Sequence, residues 1–226
     1  MKFIDFHADT LYRLFYQDGK ELGDLWENRC SVDIKRLRCS HYAAQFFACF
    51  LNLAEKPRLE SHYQDVLGMI DLFYQQIYEH ESEIRFAGSY QDYAENQKHG
   101  ILSGFLSLEE GGVLENRMER LEELYEKGIR VINMTWNHEN CLAYPHKDPH
   151  FQQKGLKPFG REVLERMNEL GIVADVSHLS DGGFWDIAHH GDVYKRQCSC
   201  FPTPAESRAG KSCFTGRTCL KRTKKR

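Results

Sequence analysis

Three short segments carry side chains that could bind a metal ion. His7 and Asp9 lie two residues apart, Glu109 and Glu110 precede a glycine pair, and His178 follows a short apolar run. Because residues i and i+2 of a strand point to the same side, His7 and Asp9 can bind one cation together. Imidazole and carboxylate groups suit a zinc site. The residue types therefore indicate a metal site.

Each segment also has an ordinary structural explanation. An HxD pair at a strand end is more often a hydrogen-bonded polar pair, and EEGG is typical of a strand end followed by a turn. His178, next to Ser177, could lie in a capped loop. The joint pattern favours a metal site, because three separate strand ends would otherwise have to place such groups by chance.

The predicted elements alternate between strands and helices. Apolar runs predict strands at 2–8, 43–53, 101–108, 129–135 and 172–177. Helical spacing predicts helices at 58–80, 118–127, 160–170 and 183–190. This alternation predicts a parallel α/β sheet, and we favour a (β/α)₈ TIM-type barrel because no glycine-rich nucleotide loop follows the first strand. In such a barrel the carboxyl ends of the strands form the active-site face, which would bring the metal-binding segments together.

Five motifs in this sequence resemble those of one enzyme family. They are IDFHADTL at 4–11, FLSLEEGG at 105–112, INMTWNHEN at 132–140, GLKPFGREVLERMNELG at 155–171 and ADVSHLS at 174–180. Together they resemble the membrane dipeptidase (renal dipeptidase) family of zinc peptidases, over roughly residues 1–190. The resemblance implies a (β/α)₈ barrel with two zinc ions that hydrolyses dipeptides.

The resemblance also implies roles for individual residues. By position, His7 and Asp9 would bind the first zinc, and His178 the second. Glu110, directly before the glycine pair, would be the bridging and catalytic carboxylate, with Glu109 as an extra neighbour. His138 is carried over as a substrate-binding residue, because Trp136 occupies the place where the family often has a histidine.

The mechanism implied by the family uses a water shared between two zinc ions. The metals lower its pKa, and the resulting hydroxide attacks a peptide carbonyl polarised by zinc. Family members tolerate a D-residue at the second position, so such dipeptides are expected substrates. Two alternatives stay open: another amidohydrolase-type metal hydrolase, for which an HxH pair would be more usual than His7 and Asp9, and a non-catalytic barrel remnant.

The end of the chain differs in composition from the rest. Residues 192–226 contain ten Lys and Arg, two Asp and Glu, and four of the eight cysteines, although the whole chain has a net charge of −3. No histidine follows His190 to complete the second zinc site. We therefore divide the chain into a barrel truncated at its C-terminal end, 1–190, and a basic, Cys-rich tail, 191–226, expected to be poorly ordered.

We hypothesise that this tail is not native. In another reading frame, the codons of residues 200–205 permit Phe-Ser-His-Ser-Ser, the type of motif that the family has at this point. A frameshift or sequencing artefact would explain the change in composition. The chain as given is then expected to be an inactive fragment that loads zinc at the first site only.

Partners and location follow from composition. No stretch approaches the ~20 apolar residues of a membrane span. The basic run 221–226 lacks the interleaved aromatic residues expected of a nucleic-acid site. Polar residues at 5, 7 and 9 interrupt any signal peptide. We expect a cytoplasmic protein that binds dipeptides but neither nucleic acid nor membrane, and a homodimer is left open.

Overall fold

Parallel strands form one curved sheet, with helices packed against its outer face. The computed structural model describes residues 2–16 and 21–191. Its strands are β1 (Phe3–Asp5), β2 (Tyr42–Phe50), β3 (Ile84–Phe86), β4 (Leu102–Glu109), β5 (Ile129–Asn133) and β6 (Val173–Asp175). Their order is β1-β2-β4-β5-β6, and β3 pairs with the first residues of β4. All of these pairings are parallel, as the βα alternation predicted.

The helices follow the strands in the order expected of βα units. They are α1 (Thr10–Tyr16), α2 (Ile34–Cys39), α3 (His62–Glu79), α4 (Tyr90–Lys98), α5 (Met118–Glu126), α6 (Pro158–Leu170) and α7 (Asp181–His190). Polar N-cap side chains begin several of them: Asp33 caps α2, Ser61 caps α3 and Ser180 caps α7. Gly171 ends α6 at a φ of 75°, which lies in the left-handed region that favours glycine. None of the described helices is long and apolar enough to cross a bilayer.

Strands β2 and β4 form the centre of the sheet and are almost wholly buried. Alternate residues face opposite sides. Phe47 points toward α3, where its ring lies 5.6 Å from that of Phe73, whereas Phe46 stacks on Phe105 at 4.5 Å on the inner, concave face. Because of this alternation, of two successive residues at the end of a strand only one points its side chain to the concave face.

The concave face carries apolar side chains that are open to solvent. Ile4, which is 44% exposed, pairs with Ala44 of β2, and Val173, which is 42% exposed, pairs with Val131 of β5. Phe6 is 67% exposed, although its ring stacks against that of Phe46. In a closed barrel, inward-facing side chains of this kind fill the core.

Most predicted elements are present, within a few residues of their expected bounds. The structure adds α1, α2, α4 and β3, which the sequence analysis did not predict. Helix α4 buries only Asn96, so it lacks the apolar stripe that identifies a helix, and β3 has three residues. Residues 192–226 of the predicted tail lie outside the described residues.

Candidate metal centre

The carboxyl ends of three strands bring four metal-binding side chains together. His7 Nε2 lies 3.0 Å from Asp9 Oδ1 and 3.2 Å from Glu109 Oε2. His178 Nε2 lies 3.4 Å from the other oxygen of Glu109, Oε1. The Glu109 carboxylate therefore lies between two imidazoles, and each of its oxygens faces a different one. This is the arrangement of a carboxylate that bridges two cations.

The position of Glu109 follows from strand alternation. Glu109 is the last residue of β4 and shares a face with Ser107 and Phe105, and Phe105 stacks on Phe46 in the concave face. The Glu109 side chain is only 6% exposed, so the barrel wall holds its carboxylate in place.

Glu110, which was expected to bridge the metals, does not join this cluster. Its side chain is buried and caps a short 3₁₀ helix, Gly111–Leu114. Oε1 accepts hydrogen bonds from the Gly112 N–H (3.1 Å) and from Asn140 Nδ2 (2.7 Å), while Oε2 accepts one from the Trp136 N–H (3.2 Å). All of these donors belong to the protein, so this carboxylate is engaged in structure. The carboxylate that lies between the two imidazoles is that of Glu109.

His178 is held by its backbone. It has a φ of 65°, a left-handed conformation that is rare for a residue other than glycine and is often found at functional sites. Its carbonyl oxygen accepts hydrogen bonds from the His146 N–H (2.7 Å) and from Thr135 Oγ1 (3.4 Å). These bonds fix the turn after β6, so that the imidazole points toward Glu109.

His138, expected to contact substrate, lies exposed on the loop after β5. Its ring packs edge-on against Trp136, with the ring centres 6.3 Å apart. Within the part of the chain that the structure describes, no hydrogen bond or ion pair joins His138 to the cluster. Trp136, which the sequence analysis did not select, is closer: its indole lies edge-on to His178 at 6.5 Å and to Phe50 at 5.0 Å.

The electrostatics of the cluster favour a cation. Hydrogen bonds with Asp9 and Glu109 raise the pKa of His7 from 6.5 to about 10, so this imidazole carries a proton at neutral pH. Two carboxylates and two imidazoles in contact are a donor set that zinc accepts. The ligand atoms of His7, Asp9 and Glu109 lie within 4.8 Å of one another, so they fit one metal ion.

A cavity of about 590 Å³ opens beside the cluster. His7 and Asp9 form part of its wall, together with Arg13, Arg29 and Cys30. Its volume is in the range of small-molecule sites.

Comparison with known proteins identifies the family. The family description "Membrane dipeptidase (Peptidase family M19)" matches residues 1–194. The chain belongs to this peptidase family. This confirms the resemblance drawn from the five motifs. An uncharacterized dipeptidase, C965.12, of Schizosaccharomyces pombe is 25% identical over 194 residues, which are 79% of this chain and 47% of that protein. The chain thus spans about half the length of the curated M19 relatives that it matches.

Solved structures of M19 peptidases share the fold. The dipeptidase AC, a metallopeptidase of family M19, superposes with a TM-score of 0.75 at 22% identity, covering 85% of this chain and 61% of that one. A metallopeptidase from Rhodobacter sphaeroides, liganded with a phosphinate mimic of the dipeptide L-Ala-D-Ala, gives a TM-score of 0.74 at 20% identity, covering 85% and 63%. The TIM-type barrel prediction is confirmed: the curved sheet corresponds to part of the barrel of these M19 structures.

Proposed function

We propose that this chain forms the first part of a zinc-dependent M19 dipeptidase. The observation that carries the proposal is the Glu109 carboxylate, which presents one oxygen to His7 and the other to His178. Membership of the dipeptidase family supports the reaction class, and the dipeptide mimic bound by the Rhodobacter sphaeroides relative supports the substrate class.

The donor set divides between two metal positions. His7, Asp9 and Glu109 would hold the first ion, and their ligand atoms already lie close enough to share it. Glu109 and His178 would hold the second ion, which has fewer ligands among the described residues. When bound, the metals supply Lewis acidity, which polarises a peptide carbonyl and lowers the pKa of water.

The residues of the chain orient the reactants. Glu109 is nearly buried, so its oxygens stay fixed while a dipeptide enters the cavity beside His7 and Asp9. The Trp136 indole packs beside His178 and would exclude water from that side of the substrate. Dipeptides with a D-residue at the second position remain part of the proposal.

The chain as given is proposed to be a fragment with little activity. With three ligands at one position and two at the other, it should bind one zinc ion tightly and a second weakly. The missing ligand and the remaining barrel strands would come from the rest of a full-length protein.

The full-length gene product tests the proposed function. We expect it to hydrolyse L-Ala-D-Ala and L-Ala-L-Ala, to lose activity with a chelator and to recover it with Zn²⁺. The variant Glu109→Gln should be inactive, while the matched control Glu81→Gln, at an exposed position outside the cluster, should behave like the wild type. Full activity of Glu109→Gln, or hydrolysis of cyclic amides or esters in place of dipeptides, would refute the proposal.

A further inference from the structure

Glu110 is a buried acid that the metal cluster does not use. It is 1% exposed, and its carboxylate accepts three hydrogen bonds, all from N–H groups. Burial raises its pKa, and the bonds from Asn140, Trp136 and Gly112 oppose that rise. A buried carboxylate costs free energy unless donors surround it, so this group needs a specific explanation.

Asn140 extends the contacts of Glu110 through the loop after β5. Besides the bond to Glu110, its Nδ2 donates to the Met134 carbonyl at 2.8 Å. Its Oδ1 accepts from the N–H groups of Leu142 (2.7 Å) and Ala143 (3.0 Å). One side chain thus ties together both ends of the loop 134–143. We call these contacts, with the three bonds to Glu110, the Glu110 network.

Gly112 is part of the Glu110 network. A Cβ atom at Gly112 would lie 2.5 Å from Glu110 Oε1 and 2.7 Å from Asn140 Cβ, distances that real Cβ contacts do not show. Only glycine lets Glu110 and Asn140 approach each other here. The last glycine of the EEGG motif therefore serves the Glu110 network.

The Glu110 network reaches the metal cluster through Trp136. The Trp136 N–H donates to Glu110 Oε2, and the Trp136 indole lies edge-on to both Phe50 and His178. Holding the Trp136 backbone therefore limits where its indole can lie. The indole in turn limits the space open to the His178 imidazole.

We propose that Glu110 is a positioning residue: it fixes the loop 134–143 so that Trp136 packs against His178 and keeps that imidazole facing Glu109. The proposal rests on the metal-binding role proposed above for His178. It assigns the two adjacent glutamates different tasks, with Glu109 in the metal cluster and Glu110 in the support of a ligand. Groups that orient ligands in this way commonly change metal affinity by about 10–100-fold when they are altered.

The variant Glu110→Gln tests the Glu110 network at nearly constant volume. A glutamine has one acceptor oxygen and one NH₂ group, so in either orientation its NH₂ faces a donor N–H. We expect amide hydrogen exchange in 134–143 to accelerate at least about tenfold, while exchange in α3 stays within about twofold of the wild type. Acrylamide quenching of Trp136, measured in a Trp26→Phe, Trp185→Phe background, should increase.

Glu109→Gln is the matched control. It removes a proposed ligand but none of the bonds of the Glu110 network. In the metal-free protein it should leave exchange in 134–143 unchanged, and it should abolish tight Co²⁺ and Zn²⁺ binding. Glu110→Gln should instead retain the tightly bound ion at His7, Asp9 and Glu109, and only the weaker second position, which contains His178, should lose affinity, by about tenfold.

Two results would overturn the proposal. Unchanged exchange in 134–143 and unchanged quenching in Glu110→Gln would show that Glu110 does not hold the loop. Exchange accelerated by the same factor in 134–143 and α3 would show a general loss of stability in place of positioning.

Two further results are decisive if Glu110→Gln does not fold or if Glu109→Gln still binds metal. Should Glu110→Gln fail to fold, Asn140→Asp keeps the Oδ1 acceptor for the Leu142 and Ala143 N–H groups, removes the NH₂ donor to Glu110, and must give the same localised signature; a wild-type exchange pattern in that variant refutes the proposal. Tight metal binding by Glu109→Gln would count against the proposed metal centre, whereas the exchange data would still decide whether Glu110 holds the loop.

Discussion

Glu109 and Glu110 are adjacent in the chain but have entirely different partners. The carboxylate of Glu109 contacts the imidazoles of His7 and His178, whereas that of Glu110 accepts hydrogen bonds only from N–H groups of the protein. The end of β4 lies between them, because Glu109 is its last residue and Glu110 caps the following 3₁₀ helix. One position along the chain thus separates a proposed metal ligand from a carboxylate that binds the backbone and side chain of a loop.

Substitution of Phe47 tests the core between the sheet and α3. Phe47 is fully buried against Phe73, so Phe47→Ala should lower the free energy of unfolding by about 3–5 kcal/mol. Urea unfolding followed by circular dichroism measures this change. The matched control is Phe6→Ala, at a position 67% exposed, which should cost much less. Equal losses in the two variants would contradict the assignment of the two faces.

The solvent-open concave face should bind hydrophobic probes. Ile4, Phe6 and Val173 lie there and are each more than two-fifths exposed. An apolar patch of this kind promotes association, so the chain should enhance the fluorescence of an anilinonaphthalene dye and self-associate as its concentration rises. Phe6→Ser should reduce both effects without changing the far-ultraviolet circular dichroism. Dye binding that is unaffected by Phe6→Ser and by Val173→Thr would contradict this prediction.

Metal binding should release a proton from His7. The raised pKa, about 10, means that the metal-free protein keeps this proton at pH 7–9. For folding, the contribution of this group is complete below its ordinary pKa of 6.5 and is lost as pH rises through about 10. Metal affinity instead increases with pH, because the ion must displace the His7 proton.

Zinc affinity should therefore rise about tenfold per pH unit between pH 7 and 8.5, with about one proton released per ion. Calorimetric titration in buffers of different ionisation enthalpy measures that proton release. His7→Gln should weaken binding and remove most of this pH dependence, whereas His99→Gln, at an exposed pair with Glu95, should not. Metal binding without proton release at pH 7.5 would show that His7 is not displaced.

The long elements could be predicted from the sequence, because their buried residues form a continuous apolar run or recur at helical spacing. The apolar run of β2 and the helical spacing of α3 are examples. Helix α4 could not be predicted, because its sequence is polar. Strand β3 could not be predicted either, because it has only three residues and is stabilised by pairing with β4.

The metal site was predicted as a convergence of strand ends, and the structure shows that convergence for His7, Asp9 and His178. Of the two glutamates, the structure places Glu109, and not the expected Glu110, in this cluster. The signal that selects Glu109 is present in β4: Ser103, Phe105 and Ser107 alternate with Leu102, Gly104, Leu106 and Leu108, so the face that carries the two serines leads to Glu109. The positions of Trp136 and His138 depend on the loop after β5, whose conformation is set by Glu110 and Asn140 through contacts distant in sequence.

Zinc titration of the wild-type chain, Glu109→Gln and Glu110→Gln separates the roles of the two glutamates. We expect one tightly bound zinc ion per wild-type chain, retained in Glu110→Gln, and an affinity reduced more than about 100-fold in Glu109→Gln. The opposite order, with zinc lost in Glu110→Gln and retained in Glu109→Gln, would contradict this expectation.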